Sequence, residues 1–254
     1  MIISLLFFLA CFICGLALTR LFKLEFSPVV EVLVSLVLGV TGVTLILFFL
    51  AWVVPFSRVS IAVETAGLVM MSVWRISRDR SFRLPKVLKS LKEAVVGLSL
   101  KGKLAAAFFI TIVIWIFGRA LFFDSNGQLW AGDRLVWTDW PLHIAMAANF
   151  AWGNNFPPQN PTFAGIPLIY PFFADFLSGV LMQLGESIPV AFAVPGVVLT
   201  LCFFGLFVVL GSQLLEKVRS PKEPRSFKFI AMGALLLSLF WGGLGWVYWL
   251  KEAF

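Results

Sequence analysis

Six stretches of this chain are long and apolar. They cover residues 2–18, 29–54, 104–123, 166–184, 189–210 and 229–250. A helix needs about 20 mostly apolar residues to cross a bilayer. The stretch 166–184 fits that requirement worst, because Pro167 and Pro171 interrupt its start and Asp175 lies in its middle. A carboxylate at mid-bilayer costs about 2.5–3.5 kcal/mol on insertion scales. The pattern therefore predicts five spans, with 166–184 as a juxtamembrane helix resting in the outer leaflet. Residues 59–74 are apolar apart from Glu64 but short for a span; a crossing there would flip only the first two spans. Further on, Leu84, Val87, Leu88, Leu91, Val95 and Leu98 follow helical spacing, with Lys86, Lys89 and Lys92 between them and Pro85 at a first-turn position. This reads as a basic amphipathic helix on the inner leaflet, the alternative being a solvated connector.

Composition agrees with the pattern. The chain has 254 residues, of which 60% are hydrophobic and 13% charged. Its mean hydropathy is +0.97. Soluble domains carry about 25% charged residues, so a soluble globular domain is excluded. The 28 Phe and 10 Trp exclude disorder. Three cysteines build no disulfide framework, and Cys11 and Cys14 read as small apolar residues within the first span. The fold class is thus an all-α polytopic membrane protein.

The net charge of +7 does not point to nucleic acid, because of where the charge lies. Residues 55–103 hold ten Lys and Arg, and 211–228 hold five. Basic clusters beside apolar spans belong in cytoplasmic loops. The span 104–123 then runs outward. Residues 124–162 fall outside, with Arg134 against Asp124, Asp133 and Asp139. Leaving 166–184 uncrossed also returns 211–228 to the inside.

Candidate chemistry concentrates in that outer loop. Trp130, Trp137, Trp140 and Trp152 suit a membrane boundary. Asp139 precedes His143, the one His in the chain, by four residues. Residues 137–152 are helical in character, with Thr138 or Asp139 as N-cap and Pro141 in the first turn. Asp139 and His143 then share a face one turn apart. Such a carboxylate can accept a hydroxyl proton or hold a metal. In the plainer alternative Asp139 only caps the helix and His143 is an interfacial polar residue. Residues 153–165, GNNFPPQNPTFAG, follow. Pro157, Pro158 and Pro161 stiffen them, which suits either the orientation of a polar ligand or a well-defined turn. Asn160-Pro-Thr is no glycosylation acceptor, since Pro occupies its middle position.

The order Asp139, His143, FPPQNP at 156–161, AG at 164–165, Pro167 and Tyr170 resembles the first extracytoplasmic loop of the GT-C membrane glycosyltransferases. Protein O-mannosyltransferases and their bacterial and archaeal relatives are members of that group. The resemblance implies that 104–254 is the N-terminal part of a GT-C-like transmembrane core with its outer loop at 124–165. Residues 1–103 would be an N-terminal addition of two spans and the basic cytoplasmic amphipathic segment, and the chain would be the N-terminal portion of a longer enzyme. It implies transfer of a sugar from a polyprenyl-phosphate carrier to an acceptor hydroxyl on the extracytoplasmic side of the cytoplasmic membrane. Asp139 would be the general base, supported by His143, Asp133, Arg134, Asn160 and Tyr170. No cofactor is demanded, and a divalent metal is the one candidate. The implied partners are the lipid bilayer and a polyprenyl-phosphate-linked sugar, with no nucleic acid. Two rival readings stand beside it. One is a non-catalytic membrane partner subunit or degenerate relative. The other is a lipid-linked glycan transporter, with Asp175 as an intramembrane site.

Overall fold

A computed structural model describes residues 1–24, 26–79, 89, 92, 93, 96, 97, 99–132, 139–163 and 165–218, the last five of these by backbone alone. Seven helices and one short hairpin make up the named elements. In chain order they are α1 (Ile2–Leu21), α2 (Pro28–Leu50), α3 (Arg58–Ser77), α4 (Leu100–Ala120), β1 (Leu121–Phe123), β2 (Leu129–Ala131), α5 (Trp140–Gly153), α6 (Phe173–Leu184) and α7 (Ile188–Val218). Two compact units are present, Met1–Cys202 and Phe203–Phe254. In the second, the described backbone continues α7, with the Phe203 ring edge-on to Phe204 and tilted against Phe207.

Five of the helices are long and apolar enough to cross a membrane: α1, α2, α3, α4 and residues 188–213 of α7. The all-helical character and five span-length helices expected from the pattern are therefore present, but the set of five differs. The stretch 59–74, read as too short, belongs to a 20-residue helix. Ser57 and Ser60 close a capping box at its start, which extends the helix through Arg58, and its other end runs past Arg75 to Ser77. Twenty residues rise about 30 Å, the thickness of a hydrocarbon core. Residues 1–79 thus hold three span-length helices. The sixth apolar stretch, 229–250, lies outside the described residues. Most of the amphipathic segment 84–98 does too, although Lys89 and Glu93 within it approach to 3.9 Å.

The stretch 166–184 is helical only as α6. Twelve residues rise about 18 Å, too little to cross. Pro167 and Pro171 keep 166–172 out of the helix, for they supply no N–H. Yet α6 is packed into the protein. Nine of its twelve residues are buried, Asp175 among them, so it is enclosed by protein rather than laid on a surface.

The first two helices pack by close backbone approach. A Cβ on Gly15 would lie 1.7 Å from the Ser35 carbonyl oxygen, and one on Gly39 would lie 1.7 Å from that of Cys11. Small residues spaced by four let two apolar helices touch where lipid tails give no hydrophobic drive. Arg20 of α1 pairs with the buried Glu31 of α2 at one end of this contact, and there Arg75 of α3 donates to the Arg20 carbonyl, 3.5 Å away.

The opposite end carries α5 and α6. Phe48, near the end of α2, packs on Phe156, Phe172, Phe173 and Phe176. Gln183 of α6 donates to the Phe56 carbonyl at 3.0 Å, just before α3. Glu186 receives the Ser4 backbone N–H and hydroxyl, both at 2.9 Å, together with the Met1 amine. A carboxylate there satisfies orphan donors at the start of α1 and meets its positive dipole end. Burial pushes the Glu186 carboxyl up, but these donors outweigh it and hold it below the usual range. The start of α1, the end of α2, the start of α3 and the α5–α6 pair therefore sit together.

Candidate functional site

Asp139 precedes α5 and is exposed. Its backbone is helical, φ −82 and ψ −30, and its side chain caps no N–H. An N-cap carboxylate normally reaches back from an extended backbone, so the expected capping role is not made by Asp139. Thr138, the other cap candidate, lies outside the described residues. Among the described residues the Asp139 carboxylate has no hydrogen-bond partner and is not spent on the helix, while its backbone carbonyl accepts the His143 N–H at 3.2 Å.

The His143 side chain turns to α6, not to Asp139. Its Nδ1 lies 2.9 Å from Asp175 Oδ1 and 3.1 Å from Oδ2. Asp175 is 3% exposed, and the His143 side chain 30%. The interior wall that buries Asp175 comes from close helix packing: a Cβ on Gly179 would lie 2.8 Å from the Ala147 carbonyl oxygen. Met146, Ala147, Phe150, Phe176 and Val180 are all fully buried around this seam. Burial raises the Asp175 carboxyl above its usual range, and the charge and hydrogen bond of His143 pull it back down in part. With Asp175 accepting, Nδ1 bears the hydrogen, and Nε2 has no protein partner among the described residues. The Tyr170 ring meets the imidazole edge-on, 5.8 Å between centroids, and is itself exposed. Asp175, His143 and Tyr170 therefore form one cluster with an accessible edge, beginning one turn after Asp139.

The remaining expected site residues fall elsewhere. Asn160 lines a separate cavity at the far end of α5. Its Oδ1 accepts from the Thr162 N–H at 2.9 Å and hydroxyl at 2.7 Å, a local turn. Asp133 and Arg134 lie outside the described residues. No group of three or more His, Cys, Asp or Glu side chains fit to hold a metal occurs among the described residues, and His143 with Asp175 supplies only two donors.

Asp124 is also accounted for. It closes the β1–β2 turn, its Oδ1 accepting from the backbone of Gln128 at 2.8 Å and Asn126 at 2.9 Å, its Oδ2 from the Trp130 indole at 3.0 Å. The Gln128 N–H, with those of Trp130 and Asn126, holds its carboxyl below the usual range. Asp175 is the residue that sequence reasoning missed as a partner of His143. Its only signal was a carboxylate in an apolar stretch, which marks cost and function alike.

No family model matches this chain, and no curated protein and no solved structure is significantly similar to it.

Proposed function

We propose that this chain acts as a membrane glycosyltransferase that moves a sugar from a polyprenyl-phosphate carrier to an acceptor hydroxyl. The observation that carries the reading is the start of α5, where an exposed Asp139 that caps no helix N–H stands one turn before a His143 fixed by a buried carboxylate. A general base must be within hydrogen-bond reach of the proton it takes. In the proposed step the acceptor hydroxyl gives its proton to the Asp139 carboxylate. Its oxygen bonds to the anomeric carbon as the bond from that carbon to the carrier phosphate breaks, and polyprenyl phosphate departs. His143, with Nδ1 engaged by Asp175, can offer Nε2 as a hydrogen-bond partner to the acceptor. The α5–α6 end faces the extracytoplasmic side of the cytoplasmic membrane in this reading, because the basic residues gather at the other end and in 80–103.

One observation favours a second reading, a non-catalytic membrane partner. A carboxylate as buried as Asp175 needs a partner for stability alone, and His143 would serve as that clasp without any chemistry.

Sugar transfer from polyprenyl-phosphate donors in native membranes separates the two. Asp139→Asn keeps size and polarity and removes the base, so transfer should fall about a hundredfold or more, at the low end of general-base contributions. Membrane levels of the protein should not change. Asp133→Asn is the internal control and should lose far less. Transfer at the unaltered rate in Asp139→Asn would put the non-catalytic reading ahead.

A further inference from the structure

A cavity of about 540 Å³ lies at the C-terminal end of α5, lined by Asn149, Asn154, Asn155, Phe156, Gln159 and Asn160 with flanking Gly, Pro and Thr. Its volume is in the range of ligand pockets. Two of its amides are wholly or partly committed to structure. Asn155 Nδ2 donates to the Gln159 carbonyl at 2.8 Å, and its Oδ1 accepts the Gln159 N–H at 2.9 Å. Asn160 Oδ1 is taken by Thr162. Among the described residues, the side-chain amides of Asn149, Asn154 and Gln159 and the Asn160 amide nitrogen have no protein partner.

The wall is held in place before any ligand arrives. Gln159 and Pro167 form an isolated bridge, the Asn160 N–H donates to Ile166 at 2.8 Å, and the Leu168 N–H donates to Pro158 at 3.1 Å. Pro157 and Pro161 restrict the same wall. A preformed wall lowers the ordering cost of binding.

Charge selects the ligand class. From residue 140 to 174 the chain has no Asp, Glu, Lys or Arg. The cavity also sits at a helix C-terminus, where the dipole end is negative and repels anions. Among the described residues that line it, a phosphate or carboxylate group finds no cation, and a cation finds no acid. What the lining offers is planar amides, each able to donate and accept. That lining matches a ligand with many neutral hydroxyls. We propose that the cavity is a subsite for a neutral saccharide. Asp139 and Gly153 are fourteen residues apart on one helix, about 21 Å along its axis, so this is a distinct site from the base. The proposal rests on the transferase reading insofar as it makes this saccharide part of the acceptor, since the uncharged lining gives the carrier phosphate no partner.

The test is binding, without any donor, by the full chain in detergent. Maltotriose and chitotriose are titrated and followed by saturation-transfer difference NMR. At least one should bind saturably. The double variant N149A/N154G removes two free amides at little structural cost. Ala suits the helix interior, and Asn154 has φ 48, a left-handed backbone that Gly adopts freely. That variant should bind about tenfold more weakly. Asp139→Asn should bind as the unaltered protein does, so a failed base assignment leaves this result standing. Saturation by neither saccharide, or unchanged binding by the double variant, overturns the subsite. Displacement of the bound saccharide by a short-chain prenyl-phosphate sugar overturns its assignment to the acceptor.

Discussion

His143 joins α5 to α6 through a carboxylate that would otherwise be buried without a partner. Its removal has a signed consequence for pH. Burial raises the Asp175 carboxyl, and His143 is what opposes that rise. In His143→Ala the opposition is gone and the folded-state value moves further above the unfolded value of about 3.9. A carboxyl raised on folding contributes stability fully below its unfolded value and loses it as pH rises through the folded value. The variant should therefore be less stable than the unaltered protein by about 1–3 kcal/mol at ~pH 7.5, the cost of an unsatisfied buried group, and by less at ~pH 4.5. Thermal unfolding in detergent at the two pH values measures this, and equal deficits would reject the dependence. The spacing of Asp139 and His143 was legible in the sequence because both lie on one helical turn. The pairing of His143 with Asp175 was not, because thirty-two residues and a Pro-rich turn separate them. Nothing in local spacing encodes which helix face closes onto which.

At the scale of elements, length and packing decide where the apolar pattern misleads. Hydropathy marked 59–74 by its apolar residues alone, but helix length is set by the serine capping box and by arginines tolerated at both ends. Hydropathy also marked 166–184 as one stretch, although its two prolines leave only α6 helical. That α6 would not cross was legible from Asp175 and those prolines. That it would be enclosed by α5, the end of α2 and the start of α3 depends on tertiary contacts. The α1–α2 contact gives the clearest element-scale prediction. Gly39→Val forces a side chain into the Cys11 carbonyl, where the obstacle is backbone and cannot swing away. It should cost about 3 kcal/mol or more, at the upper end of overpacking penalties. Gly42→Ala, on the same helix, meets only the end of the Leu18 side chain at 3.3 Å and should cost little. Unfolding titrations in mixed micelles compare the pair, and equal stability of the two variants would mean that α1 and α2 do not meet as described.

For the whole molecule, the contacts at both ends of α1–α3 make sidedness a single question. The Glu186–Ser4 and Gln183–Phe56 bonds put the start of α1 and the α2–α3 turn with α5 and α6. The Arg20–Glu31 pair and the Arg75 bond to Arg20 close the other end. That other end, with the segment following it, holds Arg20, Lys23, Arg75, Arg78 and the basic residues of 80–103, whereas the turn at 51–57 has no charged residue and Arg58 follows it. In the proposed reading the excess of Lys and Arg assigns the former to the cytoplasm. On that reading α3 crosses, the first two spans are reversed relative to a two-span reading, and the α5–α6 end faces outward. Val53 is 79% exposed in the turn at 51–57, and Ser77 is exposed at the other end of α3. The three native cysteines are buried, so an impermeant maleimide should find little background. Val53→Cys should label in intact cells, and Ser77→Cys only after permeabilisation. The reverse result would put Asp139 and His143 in the cytoplasm and remove the extracytoplasmic transferase reading. Labelling of both in intact cells would mean that α3, despite its length, does not cross, and the three-helix arrangement would then have to lie on one side of the bilayer.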